Sequence, residues 1–310
     1  MGTKNLNILC NSTLAIPCLE ELIRAGRIQS IGMPETQSDA VFFITQIAKQ
    51  AFIPVRFFSK GTLQEQLTLW LSEFPCKAVV CMTFPFKIPA SVLSIPNIGF
   101  VNVHFALLPE YRGAEPIFWE IKNREQYGGI TVHMMNEQWD KGNILFLRKI
   151  KILSNETHGK HLSNLSRESL HIIPELLTLI DQGNSLKGET QAQGSYKPKP
   201  SYNDVKLDWQ QDESASLLAT IKACNPWNKG AISFLNGYEL RIIEAAITAS
   251  FYGKQCGTPG SILISPNKNH FAICCKDGKF LNPEILYTNE GFHTTSTIIN
   301  GGLNQNLMFH

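Results

Sequence analysis

Nothing among the 310 residues runs to about eighteen consecutive apolar positions, so no segment reads as a membrane-spanning helix. The opening stretch, MGTKNLNILCNSTLAIPCLEEL, puts polar Asn and Ser where a secretory signal needs an unbroken apolar run. Leu6 stands where the myristoylation pattern requires Ser or Thr. The eight cysteines include no C-x-x-C pair and sit mostly inside apolar runs, which argues against a metal cage or disulfide lattice and for reduced thiols in a cytoplasmic protein. Charge is scarce as well. Charged residues make up 17% of the chain, and 28 Lys and Arg against 26 Asp and Glu leave a net charge of +2, too little for nucleic-acid binding by bulk electrostatics, although a local patch remains open. No internal repeat is visible. What remains is an ordinary globular composition, 43% hydrophobic, at a length that predicts two domains.

Apolar runs alternate with amphipathic segments through the first half. NLNILC (5–10) predicts a strand, Asn11, Ser12 and Thr13 supply cap chemistry for a helix near 14–25, and Gly26 closes it. Strands are expected at 28–33, 53–58, 78–82, 100–104 and 129–135, and helices near 41–51 and 62–73, with one long helix over 157–182. The continuous run Ala78 to Met82 fits a strand buried on both faces, and the alternation predicts a Rossmann-like α/β domain over 1–182 with a mostly parallel sheet. Residues 183–205 change to Gly, Gln, Ser, Lys and Pro and read as a linker. Short β-like runs after one helix near 213–223 predict a small β-barrel or sandwich over 206–310.

The polar residues of NVHFALLPEYRG (102–113) stand out between apolar runs. Asn102 and His104, two residues apart at a strand end, share a face. Asp140 follows 36 residues later in WDKGNI. An imidazole and a carboxylate that meet across a loop form an acid/base pair, with the carboxylate favouring the charged ring, and in acyl transfer Asn102 and His104 could both donate to a developing oxyanion while His104 or Asp140 moves protons. The residues alone equally allow a strand-end His104 satisfied by a backbone carbonyl and an Asp140 that merely shapes a turn before Gly142.

The run N-V-H-F-A-L-L-P-E-Y-R-G, followed by G-G-I-T-V-H and D-K-G, resembles the signature of the folate-dependent formyltransferases, and 194–209 and 223–242 are similar to the linker and carboxy-terminal barrel (OB-like) of its methionyl-tRNA-formylating members. The resemblance implies Asn102, His104 and Asp140 as the catalytic trio, 10-formyltetrahydrofolate as co-substrate with no metal, and a primary amine as acceptor. It places the pterin against Met82 to Pro89 and Asn136 to Trp139, so that Met82, Phe84, Phe86, Ile88, Asn136 and Trp139 are the expected cofactor contacts. Leu108, Pro109, Arg112 and Gly113 are expected to shape the substrate loop, with Arg112 either orienting a substrate anion or anchoring the loop through a salt bridge.

Two departures bear on the acceptor and the turn. Position 106 is Ala where the family usually has Ser. The stretch 32–48 contains no Lys or Arg, where members acting on tRNA carry a basic inserted loop, and residues 206–310 hold eight basic against eight acidic residues. Phosphate contacts dominate nucleic-acid affinity, so this balance weighs towards a small amine, such as an aminosugar nucleotide or a biosynthetic intermediate, and against methionyl-tRNA. Hydrolysis of 10-formyltetrahydrofolate and folate binding without turnover are the remaining readings. The sequence leaves the oligomeric state open.

Overall fold

The apolar runs of the first half become the strands of one sheet: β1 (Leu6–Cys10), β2 (Ile28–Pro34), β3 (Val55–Phe58), β4 (Ala78–Met82), β5 (Gly99–His104), β7 (Tyr127–Met134) and β8 (Ile144–Lys151), with two short strands, β6 (Arg112–Gly113) and β9 (Tyr196–Lys197), paired separately. The computed structural model describes residues 3–183 and 186–310; Met1 and Gly2, and Asn184 and Ser185 of the expected linker, lie outside the described residues. Sheet order is β3-β2-β1-β4-β5-β7-β8, parallel from β3 to β5 and antiparallel through β7 and β8. Every residue of β1 and β4 is buried, as central strands covered on both faces must be.

Local chemistry explains the helices between strands. Ser38 caps helix Asp39–Gln50 by accepting the Val41 amide at 3.2 Å, with Asp39 in the positive first turn. Helix Leu63–Glu73 turns Leu67, Trp70 and Leu71 into a cluster with Phe58, Val79 and Phe100, and the buried Trp70 indole donates to Ser30 Oγ at 2.9 Å. The single helix expected over 157–182 is instead His158–Glu168, a 3-10 turn at Ser169–Ile172, and Ile173–Asp181. Pro174 explains the break, because it has no amide hydrogen and its ring excludes the preceding turn's carbonyl.

The chain forms two compact units. The first comprises the chain up to Pro116, Tyr127–Lys151 and Leu162–Lys197; the second comprises Ile117–Gln126, Ile152–His161 and Pro198–His310. Helix Ser214–Ala223 in the second unit precedes the strands β10 (Ala231–Leu235), β11 (Tyr238–Thr248), β12 (Ile262–Ile264), β13 (Phe271–Cys274), β14 (Phe280–Thr288) and β15 (Gly291–Thr294). They form one antiparallel sheet in the order β10-β11-β14-β13-β12, with β15 on β14. The last residues join the two edges: Phe234 and His310 exchange backbone bonds of 3.0 and 2.9 Å, and the Phe309 amide donates to Gly260 O at 2.9 Å. Gly260 permits that approach, since at φ 86° a Cβ there would lie 2.3 Å from Phe309 O. Through these residues the β10 edge and the segment leading into β12 are bridged.

The same unit buries an ionic cluster. His161, with no exposed surface, bridges Glu156 at 3.1 Å and Glu120 at 3.2 Å, and both carboxylates are also buried. Burial opposes charge on the ring, yet the two flanking carboxylates raise its pKa, while burial in turn pushes the Glu120 carboxyl up to about 7.

The eight cysteines are free thiols, and burial pushes Cys10 and Cys76 up to about 12. Among the described residues no helix is long and apolar enough to cross a membrane, and no group of three or more His, Cys, Asp or Glu is placed to hold a metal ion.

Candidate active site

Asn102 and His104 lie at the carboxyl end of β5, beside β4 on one side and β7 on the other. In a sheet of this order, ligands gather beyond the carboxyl ends of the parallel strands. Asp140 reaches the same place from the turn after β7, held at φ 53°. Its Oδ1 stands 3.4 Å from Asn102 Nδ2 and 3.8 Å from His104 Nδ1, and its Oδ2 accepts the Gly113 amide at 2.8 Å. The structure thus brings together three side chains whose ends lie 38 residues apart in sequence.

The ring of His104 is turned in a particular way. Nε2 lies 2.9 Å from the carbonyl oxygen of Tyr111, so in the neutral ring Nε2 carries the hydrogen and donates it, while Nδ1 presents its lone pair towards Asp140. Burial lowers the His104 pKa, outweighing the raising effect of Asp140, and His133 lowers it further. The carboxylate favours the charged ring as expected, but burial outweighs it and the desolvated site favours neutral imidazole. In that state His104 offers a base at Nδ1, and its one N–H is already committed to Tyr111.

Asp140 behaves oppositely. Burial opposes its ionisation, but the two imidazoles and the Gly113 N–H prevail and bring its pKa down to about 2. With His104 neutral, the Gly113 amide at 2.8 Å and the Asn102 carboxamide at 3.4 Å are the supports that do not depend on ring charge.

His133, which the motif reading quoted but gave no role, completes the cluster. It pairs directly with Asn102 across β5 and β7. Its Nδ1 donates to Met134 O at 2.8 Å, which leaves Nε2 to accept from Asn102 Nδ2 at 3.1 Å and fixes which way the carboxamide faces. Nε2 also lies 3.7 Å from Asp140 Oδ1. Thr131, across from His104, is fully buried; its hydroxyl donates to Ala106 O at 2.7 Å and accepts the Leu108 amide at 3.0 Å, fixing the turn at Ala106.

The segment after Glu189, polar enough to read as a linker, is built into this site. Gln191 accepts from Arg112 Nε and Nη2 at 3.1 and 2.7 Å and donates to the carbonyls of Asp140 and Gly142 at 2.8 and 2.7 Å. Arg112 Nη2 also donates to Ala192 O at 3.0 Å. Buried Arg112 therefore anchors the loop through an amide and a carbonyl rather than through the expected salt bridge. β6 runs parallel to β9, and Gly113, at φ 99°, approaches so closely that a Cβ would lie 2.4 Å from Lys197 O. Pro109 is approached as closely, since a Cβ at Gly194 would lie 2.0 Å from Pro109 O. Leu108 is buried beneath the loop.

The expected cofactor contacts are arranged differently from the trio. Met82 and Ile88 have buried side chains, and Phe84 packs edge-on against Phe86 and Phe58 at ring separations of 5.4 and 6.3 Å, in the same apolar cluster as Ile88. Thr83, at φ 65°, turns the chain sharply beyond β4. Across the opening, Trp139 is 42% exposed and Asn136 caps its own turn by accepting the Gln138 amide.

A carboxamide, an imidazole and a carboxylate thus converge at the carboxyl edge of an α/β sheet. The chain belongs to the formyl transferase family, whose model matches residues 35–177 and whose carboxy-terminal domain model matches residues 199–290. It is 30% identical over 240 residues to a methionyl-tRNA formyltransferase of Geobacter metallireducens, covering 77% of this chain and 74% of that one. Among solved structures, HypX from Aquifex aeolicus in complex with tetrahydrofolic acid superposes with a TM-score of 0.69 at 16% identity, covering 96% of this chain; this chain spans 48% of that protein. WlaRD, a sugar 3N-formyl transferase solved in the presence of dTDP and 5-N-formyl-THF, superposes with a TM-score of 0.67 at 19% identity, covering 91% of this chain and 98% of that one. These two structures share the fold.

Proposed function

We propose that this protein transfers the formyl group of 10-formyltetrahydrofolate to a primary amine. The observation that carries the reading is the convergence of Asn102, His104 and Asp140 in a chain of this family. The donor set suits a formamide: one carboxamide N–H for the carbonyl oxygen, and one basic ring nitrogen for a proton. The folate supplies the electrophilic carbon and the leaving nitrogen.

The side chains divide the work. Asn102 Nδ2 surrenders its long 3.4 Å bond to Asp140 and donates to the formyl oxygen as negative charge develops there. His104 Nδ1 accepts the proton of the attacking amine and returns it to the departing nitrogen, so that a C–N bond forms as another breaks. Asp140 lies within reach of the charged ring and steadies it during that interval. His133 and Gln191 are positioning residues, one aiming the carboxamide and the other fixing the turn that carries Asp140.

A small amine is the acceptor we favour. Only Glu35 to Ser38 separate β2 from the next helix, leaving no basic inserted loop, and residues 206–310 carry no net charge. The similarity to methionyl-tRNA formyltransferases over most of the chain favours methionyl-tRNA as the second reading. Buried, unpaired thiols support a cytoplasmic setting. Formyl release measured with no acceptor, with aminosugar nucleotides and with methionyl-tRNA tests the assignment. Amine-dependent turnover supports transfer, release without any amine identifies a hydrolase, and no release at all removes the enzymatic reading. With tRNA as acceptor, its binding falls steeply as salt rises; a flat response favours the small amine.

A further inference from the structure

The second unit carries a concavity of about 350 Å³ bounded by Trp227, Lys229, Glu239, Arg241, Tyr287 and Asn289. All belong to the second unit and none takes part in the Asn102 site. Residues 206–310 carry no net charge, yet two of their eight cations meet here. Arg241 and Tyr287 are direct partners across β11 and β14, and Lys229 sets its ammonium 5.4 Å above the Tyr287 ring. Glu239 meets Arg241 at 3.3 Å, and the same guanidinium donates to Asn228 O, so the lining carries two cations against one carboxylate and keeps a net positive charge. Lys229 has no carboxylate within ion-pair distance among the described residues. Trp227 packs on Phe118 and His158, at ring separations of 5.1 and 6.2 Å, which holds the indole in place while it lines the concavity.

A fixed indole beside two cations matches a ligand with a flat π face next to an anion. A nucleobase stacks favourably on an aromatic side chain, and Lys and Arg are the usual partners of phosphate. The volume falls at the small end of the range of about 300–1,000 Å³ typical of small-molecule sites, suited to one nucleotide rather than a strand. We infer that this concavity binds a single nucleoside phosphate, its base on Trp227 and its phosphate between Lys229 and Arg241. The inference stands independently of the formyl-transfer reading.

Titration calorimetry of the full chain with AMP, adenosine and inorganic phosphate tests it. AMP is expected to bind saturably below about 1 mM, with adenosine and phosphate each at least about tenfold weaker, because each keeps half of the contacts. Lys229→Ala and Arg241→Gln should each weaken AMP by about fivefold or more, and the double variant by more than about twentyfold, with circular dichroism unchanged and formyl release from 10-formyltetrahydrofolate intact. Trp227→Leu should bring AMP close to phosphate; if that variant unfolds, the two cation variants still decide. No saturable AMP binding, or equal binding by the double variant, overturns the inference. So does a tetra-adenylate that binds more than about a hundredfold tighter than AMP, since that identifies a groove for a strand.

Discussion

His104 and Asp140 face each other without a direct hydrogen bond: 3.8 Å separates Nδ1 from Oδ1, while the opposite ring nitrogen is tied to Tyr111 O at 2.9 Å. The spacing leaves the lone pair of His104 available for a proton and keeps a carboxylate near enough to stabilise the ring once it is charged. A tight pair would have held His104 cationic before any amine arrived.

The pH dependence follows from this arrangement. Burial lowers the His104 pKa below its ordinary 6.5, so the neutral base persists into mildly acid solution. The acid limb of kcat/KM should therefore fall below pH 6.5. Asp140, whose pKa is about 2, stays ionised through that range. Its charge raises the His104 pKa, so in Asp140→Asn the limb of the residual activity should move to lower pH. A limb above pH 6.5 in the parent enzyme would contradict the neutral ring.

Acid stability should show the same carboxylate. The folded pKa of Asp140 is depressed from 3.8 to about 2, so its contribution is present above pH 4 and is lost as pH falls from about 4 towards 2. Urea titrations across that window should show a smaller loss for Asp140→Asn than for the parent.

Gly113 is constrained by both φ 99° and the approach of Lys197 O, so Gly113→Ala has to displace β6 from β9. A loss of about 1–3 kcal/mol and a reduced rate are expected, since the Gly113 amide also holds Asp140. Thermal melting and turnover read the two effects; unchanged values in both would mean the strand pair is dispensable.

Gln191→Ala removes the amide shared by Arg112, Asp140 and Gly142. The central sheet is untouched, so the expected result is a folded protein with kcat lower by about tenfold and a smaller change in KM. Equal kcat would show that the turn holds Asp140 without it.

His161→Ala leaves Glu120 and Glu156 buried without their cation. Losing one member of a buried ion cluster costs about 3–5 kcal/mol, so the urea midpoint should fall markedly. A shift under about 1 kcal/mol would mean the cluster contributes little.

The first half of the fold was legible because its strands are continuous apolar runs that must be covered on both faces, and Ala78–Met82 forms β4 at its expected bounds. β8 carried no comparable signal: Leu147 to Lys149 are exposed, and ILFLRKIK mixes charge into the strand. The trio was visible through its motif, whereas Gln191 was not, nor was Ser195, whose hydroxyl accepts the Tyr111 amide at 3.1 Å. They lie in a Gly, Gln and Ser segment whose composition looks like a tether, and only pairing with the loop at Tyr111 to Gly113 gives it shape. Thr131 and His133 occupy alternate positions of an apolar strand, where sequence alone cannot distinguish a filled core from a site facing Asn102 and His104.

The most direct measurement is the rate of formyl release from 10-formyltetrahydrofolate, with an amine acceptor, by the parent enzyme, His104→Ala and Asp140→Asn. Each variant should melt as a folded protein and turn over at least about a hundredfold more slowly. Near-parental rates in both folded variants would contradict acyl transfer at this site.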